Sequence, residues 1–108
     1  INEFDKNQNY LAFSGIGNHK TFIDMLKNNK LKIISDLEYP DHYQYTQKDF
    51  DKIMISAKKN NANIITTEKD YLRLNNFNRD KILYIKSSLK ISDEINLINK
   101  LNKLDEKN

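Results

Sequence analysis

Apolar residues in this chain fall into short strand-like runs that alternate with segments of helical period, and this alternation limits the fold more than any other feature. The run from Tyr10 to Phe13 breaks at Gly15 and Gly17, which reads as a buried strand entering a tight turn. Residues 18–30, NHKTFIDMLKNNK, follow as a helix, with Asn18 as N-cap and Phe22, Ile23 and Leu26 on one face. Residues 31–39, LKIISDLEY, form a second strand that Pro40 ends. Thr46 with Asp49 makes a short capping box, and Phe50, Ile53, Met54 and Ala57 recur at helical spacing, which predicts a helix over 47–59. NIITT (63–67) is a third strand, EKDYLRL (68–74) a short helical turn and KILYIK (81–86) a fourth strand. Ser92 caps a last helix over 93–103, whose inner stripe is Leu97, Ile98, Leu101 and Leu104. The order β-α-β-α-β-(α)-β-α predicts an α/β fold, a small, mostly parallel sheet with flanking helices.

At 108 residues the chain fits one domain. Residues 1–8 read as a linker or frayed end, 9–104 as a single α/β domain and 105–108 as a tail. The chain begins at Ile1 rather than Met, so a fragment, a trimmed chain or a processed one is expected. Without cysteine it has no disulfide, no thiolate metal site and no cysteine nucleophile. A net charge of +3 spread over scattered lysines, with Arg only at 73 and 79, argues against nucleic-acid readout, which concentrates Arg. It leaves room for a weak attraction to anionic lipid or phosphate. No apolar run approaches the roughly 20 residues that span a bilayer, and no signal peptide is evident. The expectation is a soluble, cytoplasmic chain.

In an open parallel sheet, ligands bind at the carboxyl ends of the strands. Three loops with unusual residues leave such ends: FSGIGN (13–18), YPDHYQYT (39–46) and TTEKD (66–70). They should share one rim. FSGIGN can aim backbone N–H groups at an anion, which makes Gly15 and Asn18 candidate ligand contacts. It lacks the G-x-x-x-x-G-K-S/T pattern of a P-loop, and by itself it reads as a tight turn. In TTEKD, Thr67 and Asp70 can cap the next turn, and Lys69 can meet a phosphate or a carboxylate; chemistry alone favours the cap. In PDHYQYT, His42 beside Asp41 suits a general base or the orienter of one. A turn histidine among packing tyrosines stands level with that reading. His19, in the first turn of a helix, is expected to be exposed. No grouping of His, Asp and Glu has metal-ligand spacing, so no metal site is expected within the chain.

Taken in order, AFSGIGN, YPDHYQYT and IITTEKDYLRL resemble the C-terminal part of the tetraacyldisaccharide 4′-kinase family of lipid A biosynthesis. The resemblance runs from about Tyr10 to the last helix. It implies transfer of the γ-phosphate of ATP, with Mg²⁺, to the 4′-hydroxyl of a tetraacyldisaccharide 1-phosphate. It also implies the C-terminal lobe of a P-loop-type kinase, working at the cytoplasmic face of the bacterial inner membrane. By the resemblance, His42 matches a histidine that assists the catalytic aspartate, and Asp41 is its neighbour in the motif. Glu68, Lys69 and Asp70 match a second motif that shapes the nucleotide cleft. The family often has Pro where this chain has His19, which implies a first loop of different rigidity. The P-loop and the Mg²⁺-binding carboxylates of the family lie upstream, so ATP and Mg²⁺ are expected to be held mainly by an N-terminal lobe. The implied partners are that lobe, the lipid A precursor and, through the complete protein, the membrane surface. The competing readings are a free-standing phosphate- or nucleotide-binding α/β module without catalysis, and a decayed fragment.

Overall fold

The computed structural model describes residues 4–86. Strand β1 (Asn9–Ser14) leads to helix α1 (His19–Asn28), then strand β2 (Lys32–Glu38), helix α2 (Gln47–Lys59), strand β3 (Ala62–Thr67), helix α3 (Glu68–Arg73) and strand β4 (Ile82–Ile85). The strands pair in the order β2-β1-β3-β4, and every pairing is parallel. The expected α/β architecture is therefore present. The helix expected over 93–103, with Ser92 and its stripe Leu97, Ile98, Leu101 and Leu104, lies outside the described residues.

β1 sits between β2 and β3, and Tyr10, Leu11, Ala12, Phe13 and Ser14 are all buried. A continuous apolar run suits a strand covered on both faces, where alternation would leave polar groups in a core. Tyr10 and Ala12 pack with Phe22, Ile23, Met25 and Leu26 of α1. Leu11 and Phe13 pack on the opposite face with Phe50, Ile53 and Ala57 of α2. Both helices thus bury the stripes that their sequence period predicts.

Two expectations for the start of α1 fail, each for a local reason. Asn18 occupies the N-cap position, but its side chain makes no capping bond. Its φ of −118° and ψ of 51° depart from the extended conformation that brings a cap oxygen over the first-turn N–H groups. His19 was expected at the surface and is only 5% exposed. Its Nε2–H donates to Asp36 Oδ2 at 2.6 Å, and its Nδ1 lies 2.6 Å from Ser14 Oγ. A carboxylate only accepts, so the ring hydrogen is on Nε2, and in the neutral ring Nδ1 accepts from the serine hydroxyl. The register between β1 and β2 shifts between Tyr10 and Leu11: Tyr10 pairs with Ile33, and Leu11 with Ser35. Ile34 is the extra residue of this bulge. The bulge re-phases β2, so that Ile33 and Asp36 both turn toward α1, where strict alternation would separate them.

α2 begins as the sequence predicts. Thr46 Oγ1 accepts from the Asp49 N–H at 3.2 Å, while Asp49 Oδ2 accepts from the Thr46 N–H and the Thr46 hydroxyl, each at 2.9 Å. The same oxygen accepts from the Tyr43 hydroxyl at 2.7 Å, which ties the preceding loop to the cap. Partial burial works to raise the Asp49 pKa, but the bonds from the Thr46 backbone, the Tyr43 hydroxyl and the Thr46 hydroxyl outweigh it and hold the group below 3.8. Among the described residues no helix is long and apolar enough to cross a membrane.

Because the folded state lowers the Asp49 pKa, the cap's contribution is complete above the unfolded value of 3.8 and fades as pH falls through the folded value. Asp49→Asn should lower the unfolding free energy by about 1 kcal/mol at neutral pH. It should also flatten the loss of stability below pH ~4. Urea unfolding of both chains between neutral and acid pH measures this. Parallel pH profiles would contradict it.

Candidate active-site rim at the carboxyl edge of the sheet

All strands run the same way, so the loops that leave β1, β2 and β3 emerge at one edge. β1 connects toward β2 and β3 connects toward β4, in opposite directions across the sheet. The gap between β1 and β3 is therefore the topological switch point, where α/β sheets usually hold a ligand. Here the chain fills it with its own groups, centred on Asp70.

Asp70 is fully buried in α3. Its Oδ1 accepts from the Gly15 N–H at 2.9 Å, from the Tyr45 hydroxyl at 2.9 Å and from Arg73 Nη1 at 3.3 Å. Its Oδ2 accepts from the Thr67 hydroxyl at 2.6 Å, and its N–H returns a bond to Thr67 Oγ1 at 3.1 Å. The Thr67–Asp70 pair is the helix cap that the sequence suggests. The same carboxylate also reaches the other two loops, which no local pattern signals. Thr66 joins the seam by donating to the Phe13 carbonyl at 2.7 Å.

Gly15 is squeezed at this junction. A Cβ on it would lie 3.0 Å from the Pro40 carbonyl oxygen and 3.2 Å from both Asp70 Oδ1 and Tyr45 Oη. Its carbonyl accepts from the His42 N–H at 3.1 Å and from Arg73 Nη1 at 2.9 Å. The N–H that the loop could have offered an anion is thus given to Asp70. Asn18 and Lys69 are exposed nearby, and Glu68 is half-buried.

His42 and Asp41 stand at the outer edge. His42 Nε2 lies 3.6 Å from Asp41 Oδ2, with side-chain exposures of 82% and 53%. The backbone of His42 has a φ of 61°, a left-handed conformation that Gly adopts freely and Asn, Asp and His adopt more often than other residues; Lys30 and Asn61 also adopt it here. Two bonds hold it there, His42 N–H to Gly15 O and Tyr43 N–H to Pro40 O, each at 3.1 Å. Arg73 Nη2 lies 3.4 Å from His42 Nδ1, so this guanidinium touches all three loops. Neither Arg73 nor Tyr45 was singled out from the sequence as a site residue. An arginine three residues after the Asp70 of a helix cap and a tyrosine among tyrosines carry no distinguishing local signal.

The loop that carries His42 also holds Tyr39, Tyr43 and Tyr45. Tyr39 and Tyr43 stack at 4.9 Å, and Tyr45 meets Phe13 edge-on at 5.6 Å. Burial first, and then Asp49 and Tyr43, push the Tyr39 hydroxyl up to about 12. Burial and the neighbouring Asp70 raise Tyr45 as well. Both hydroxyls stay protonated through the physiological range. They serve as packing and, for Tyr45, as a donor, and leave proton transfer to other groups.

Two mutational outcomes follow from this geometry. Gly15→Ala should cost about 1–3 kcal/mol, because a backbone carbonyl cannot swing clear of the new methyl. Gly17→Ala, whose Cβ would meet only Asp41 Oδ2 at 3.7 Å, should stay within about 0.5 kcal/mol of the parent. Urea midpoints of the two variants check this, and equal values would refute the close approach. At the left-handed position, His42→Gly and His42→Asn should be at least as stable as the parent. His42→Val should be less stable by about 1–2 kcal/mol. Indistinguishable midpoints across that series would mean that the loop does not hold φ positive in solution.

The family model for tetraacyldisaccharide-1-P 4′-kinase matches residues 2–105. A tetraacyldisaccharide 4′-kinase of Pelagibacter ubique (strain HTCC1062) is 77% identical over 108 residues, which are 100% of this chain and 34% of that protein. One from Rickettsia bellii (strain OSU 85-389) is 43% identical over 103 residues, covering 95% of this chain and 32% of the relative. One from Rickettsia typhi (strain ATCC VR-144 / Wilmington) is 44% identical over 92 residues, covering 85% and 28%. No solved structure matches significantly. The chain spans about a third of the length of these relatives. On the match of residues 2–105 and these identities, the chain belongs to the tetraacyldisaccharide-1-P 4′-kinase family.

Proposed function

We propose that this chain is the C-terminal lobe of a kinase that transfers the γ-phosphate of ATP to the 4′-hydroxyl of a tetraacyldisaccharide 1-phosphate, and that it supplies His42 to the reacting centre. The observation that carries the reading is His42 itself. It is an exposed residue whose backbone is fixed at a φ of 61° on the carboxyl rim, by one bond to the Gly15 carbonyl of a neighbouring loop and one, Tyr43 N–H to Pro40 O, within its own loop. Backbone strain at an exposed polar residue persists only where the surroundings over-determine it, and such residues cluster at functional sites.

Phosphoryl transfer depends on positioning and on neutralising the phosphates. When bound, Mg²⁺ supplies part of that neutralisation. The residues here do not fit a Mg²⁺ site: no group of three or more His, Asp and Glu side chains comes together among those described. No P-loop pattern occurs in the sequence either. Both tasks belong, in this reading, to the upstream part of the complete enzyme. The role of this lobe is to bring His42, with Asp41 beside it, toward an upstream carboxylate that accepts the proton of the attacking hydroxyl. Lys69 and Asn18, exposed on the same rim, are the side chains free to approach nucleotide or lipid phosphate, with Glu68 beside them. Gly15 and Asp70 contribute by holding the rim together. The lipid substrate places the complete protein at a membrane surface, at the cytoplasmic face. The rival reading, a free-standing phosphate-binding module, fits less well, because the N–H of Gly15 is already given to Asp70.

The test replaces the matching C-terminal third of the Pelagibacter ubique kinase with this chain. The chimera should phosphorylate tetraacyldisaccharide 1-phosphate from labelled ATP, and the isolated chain should not. In the chimera His42→Ala should lower kcat by about 10²–10⁴ while the KM for ATP stays nearly constant. Transfer by the isolated chain would overturn the lobe reading. Near-parental kcat for His42→Ala would leave His42 a turn residue only.

A further inference from the structure

We infer that Arg73 is a positioning residue that fixes the tautomer of His42, with the ring hydrogen on Nε2. The inference rests on the proposed role of His42, but its physical basis is independent of that role.

A guanidinium has five N–H donors and no acceptor. Arg73 Nη2 faces His42 Nδ1 at 3.4 Å, so the contact is attractive only when Nδ1 presents its lone pair. The ring hydrogen is then on Nε2. The guanidinium cannot simply drift off. Its Nη1 is bonded to the Gly15 carbonyl at 2.9 Å and lies 3.3 Å from the fully buried Asp70 Oδ1. The backbone of His42 is held from its own side at a φ of 61°, with its N–H bonded to Gly15 O. The guanidinium and the main chain that carries the imidazole are thus both anchored to the same glycine.

The consequence is chemical. The nearest carboxylate oxygen to Nε2, Asp41 Oδ2 at 3.6 Å, is beyond good hydrogen-bond distance. The Nε2–H can therefore turn to a carboxylate brought by another part of the enzyme. Such a donor orients a carboxylate base and stabilises its charged form. A second proton could enter the ring only at Nδ1, where the Arg73 guanidinium stands. Read from its own residues, the loop allows His42 to be a base or the orienter of one; the contact with Arg73 is consistent with the assisting role that the family resemblance implies.

The test is a long-range ¹H–¹⁵N correlation spectrum of this chain labelled at histidine, recorded at a pH where His42 is neutral. In the parent, His42 should show a pyrrole-like Nε2 and a pyridine-like Nδ1, with no averaging between them. Arg73→Lys, which keeps a cationic donor, should preserve that pattern. Arg73→Ala should move both nitrogen shifts toward each other as the tautomers mix. His19, held by Ser14 and Asp36, gives an internal control whose shifts should not change and whose unchanged pattern shows that the variants are folded. An averaged or Nδ1–H pattern in the parent would overturn the inference whether or not any variant folds. An Arg73→Ala chain with His19 intact and His42 unchanged would overturn it too. None of these readouts depends on kinase activity. An inactive chimera would strike the proposed function alone, whereas a mixed tautomer in the parent would strike only the role given to Arg73.

Discussion

The carboxylate of Asp70 is the interaction on which the carboxyl edge depends. A buried carboxylate loses its hydration, a cost of several kcal/mol unless the site returns enough donors. This site returns four: the Gly15 N–H, the Tyr45 hydroxyl, the Thr67 hydroxyl and the Arg73 guanidinium. They come from each of the three loops at that edge and from α3. Removing any one leaves an acceptor short in a dry place, and removing Asp70 strands four donors at once. The loops are thus locked by a shared acceptor more than by packing between them. That also explains why Gly15 tolerates no side chain: the three loops meet where its Cβ would be.

This arrangement inverts the usual economy of a parallel α/β sheet. The switch point, here between the neighbouring strands β1 and β3, is normally left open for a ligand. Here it is closed from within, and the exposed polar groups are displaced outward to the rim, at His42, Asp41, Asn18 and Lys69. A closed switch point suits a lobe that works against a surface on another part of its protein. Such a lobe needs a firm edge more than a pocket. The tyrosine layer adds to that firmness. In the loop that carries His42, Tyr39 stacks on Tyr43, Tyr45 meets both edge-on, and the Tyr43 hydroxyl bonds into the cap of α2.

Much of this fold was legible in the sequence, and the boundary of legibility has a physical cause. The apolar run of β1, the stripe of α2 and the Thr46–Asp49 cap are local patterns, and these three read correctly. The alternation of strands and helices then implied a parallel sheet with three loops on one rim, which is what the structure has. What escaped was non-local. Asp70 read as half of a cap, and it is; its bonds to Gly15 and Tyr45 span 55 and 25 residues, and no window on the sequence holds them. His19 read as exposed because a histidine in a first helical turn usually is. It is buried, and a bulge at Ile34 brings the half-exposed Asp36 to the α1 side of the sheet, where it bonds the ring. Asn18 read as a cap by residue type, and its backbone angles prevent it. Arg73 had no signal at all until the guanidinium was seen against His42.

The left-handed backbone at His42 gives these observations a common direction. A strained φ at a histidine costs of order 1–2 kcal/mol, and a side chain that is 82% exposed repays none of it by burial. The compensation must come from the bonds that converge on the turn, and these trace back to Gly15 and, through it, to Asp70. Energy spent in the interior is therefore used to hold the backbone of one exposed histidine in one place. Were the loop free to choose, the entropy lost on fixing His42 would be charged whenever a binding surface met the rim, and the encounter would be weaker for it. Because the fold has already fixed the turn, that cost is met once, at folding. The more buried and satisfied Asp70 is, the less ordering remains at the rim, which is why the least exposed polar group of the site governs its most exposed one.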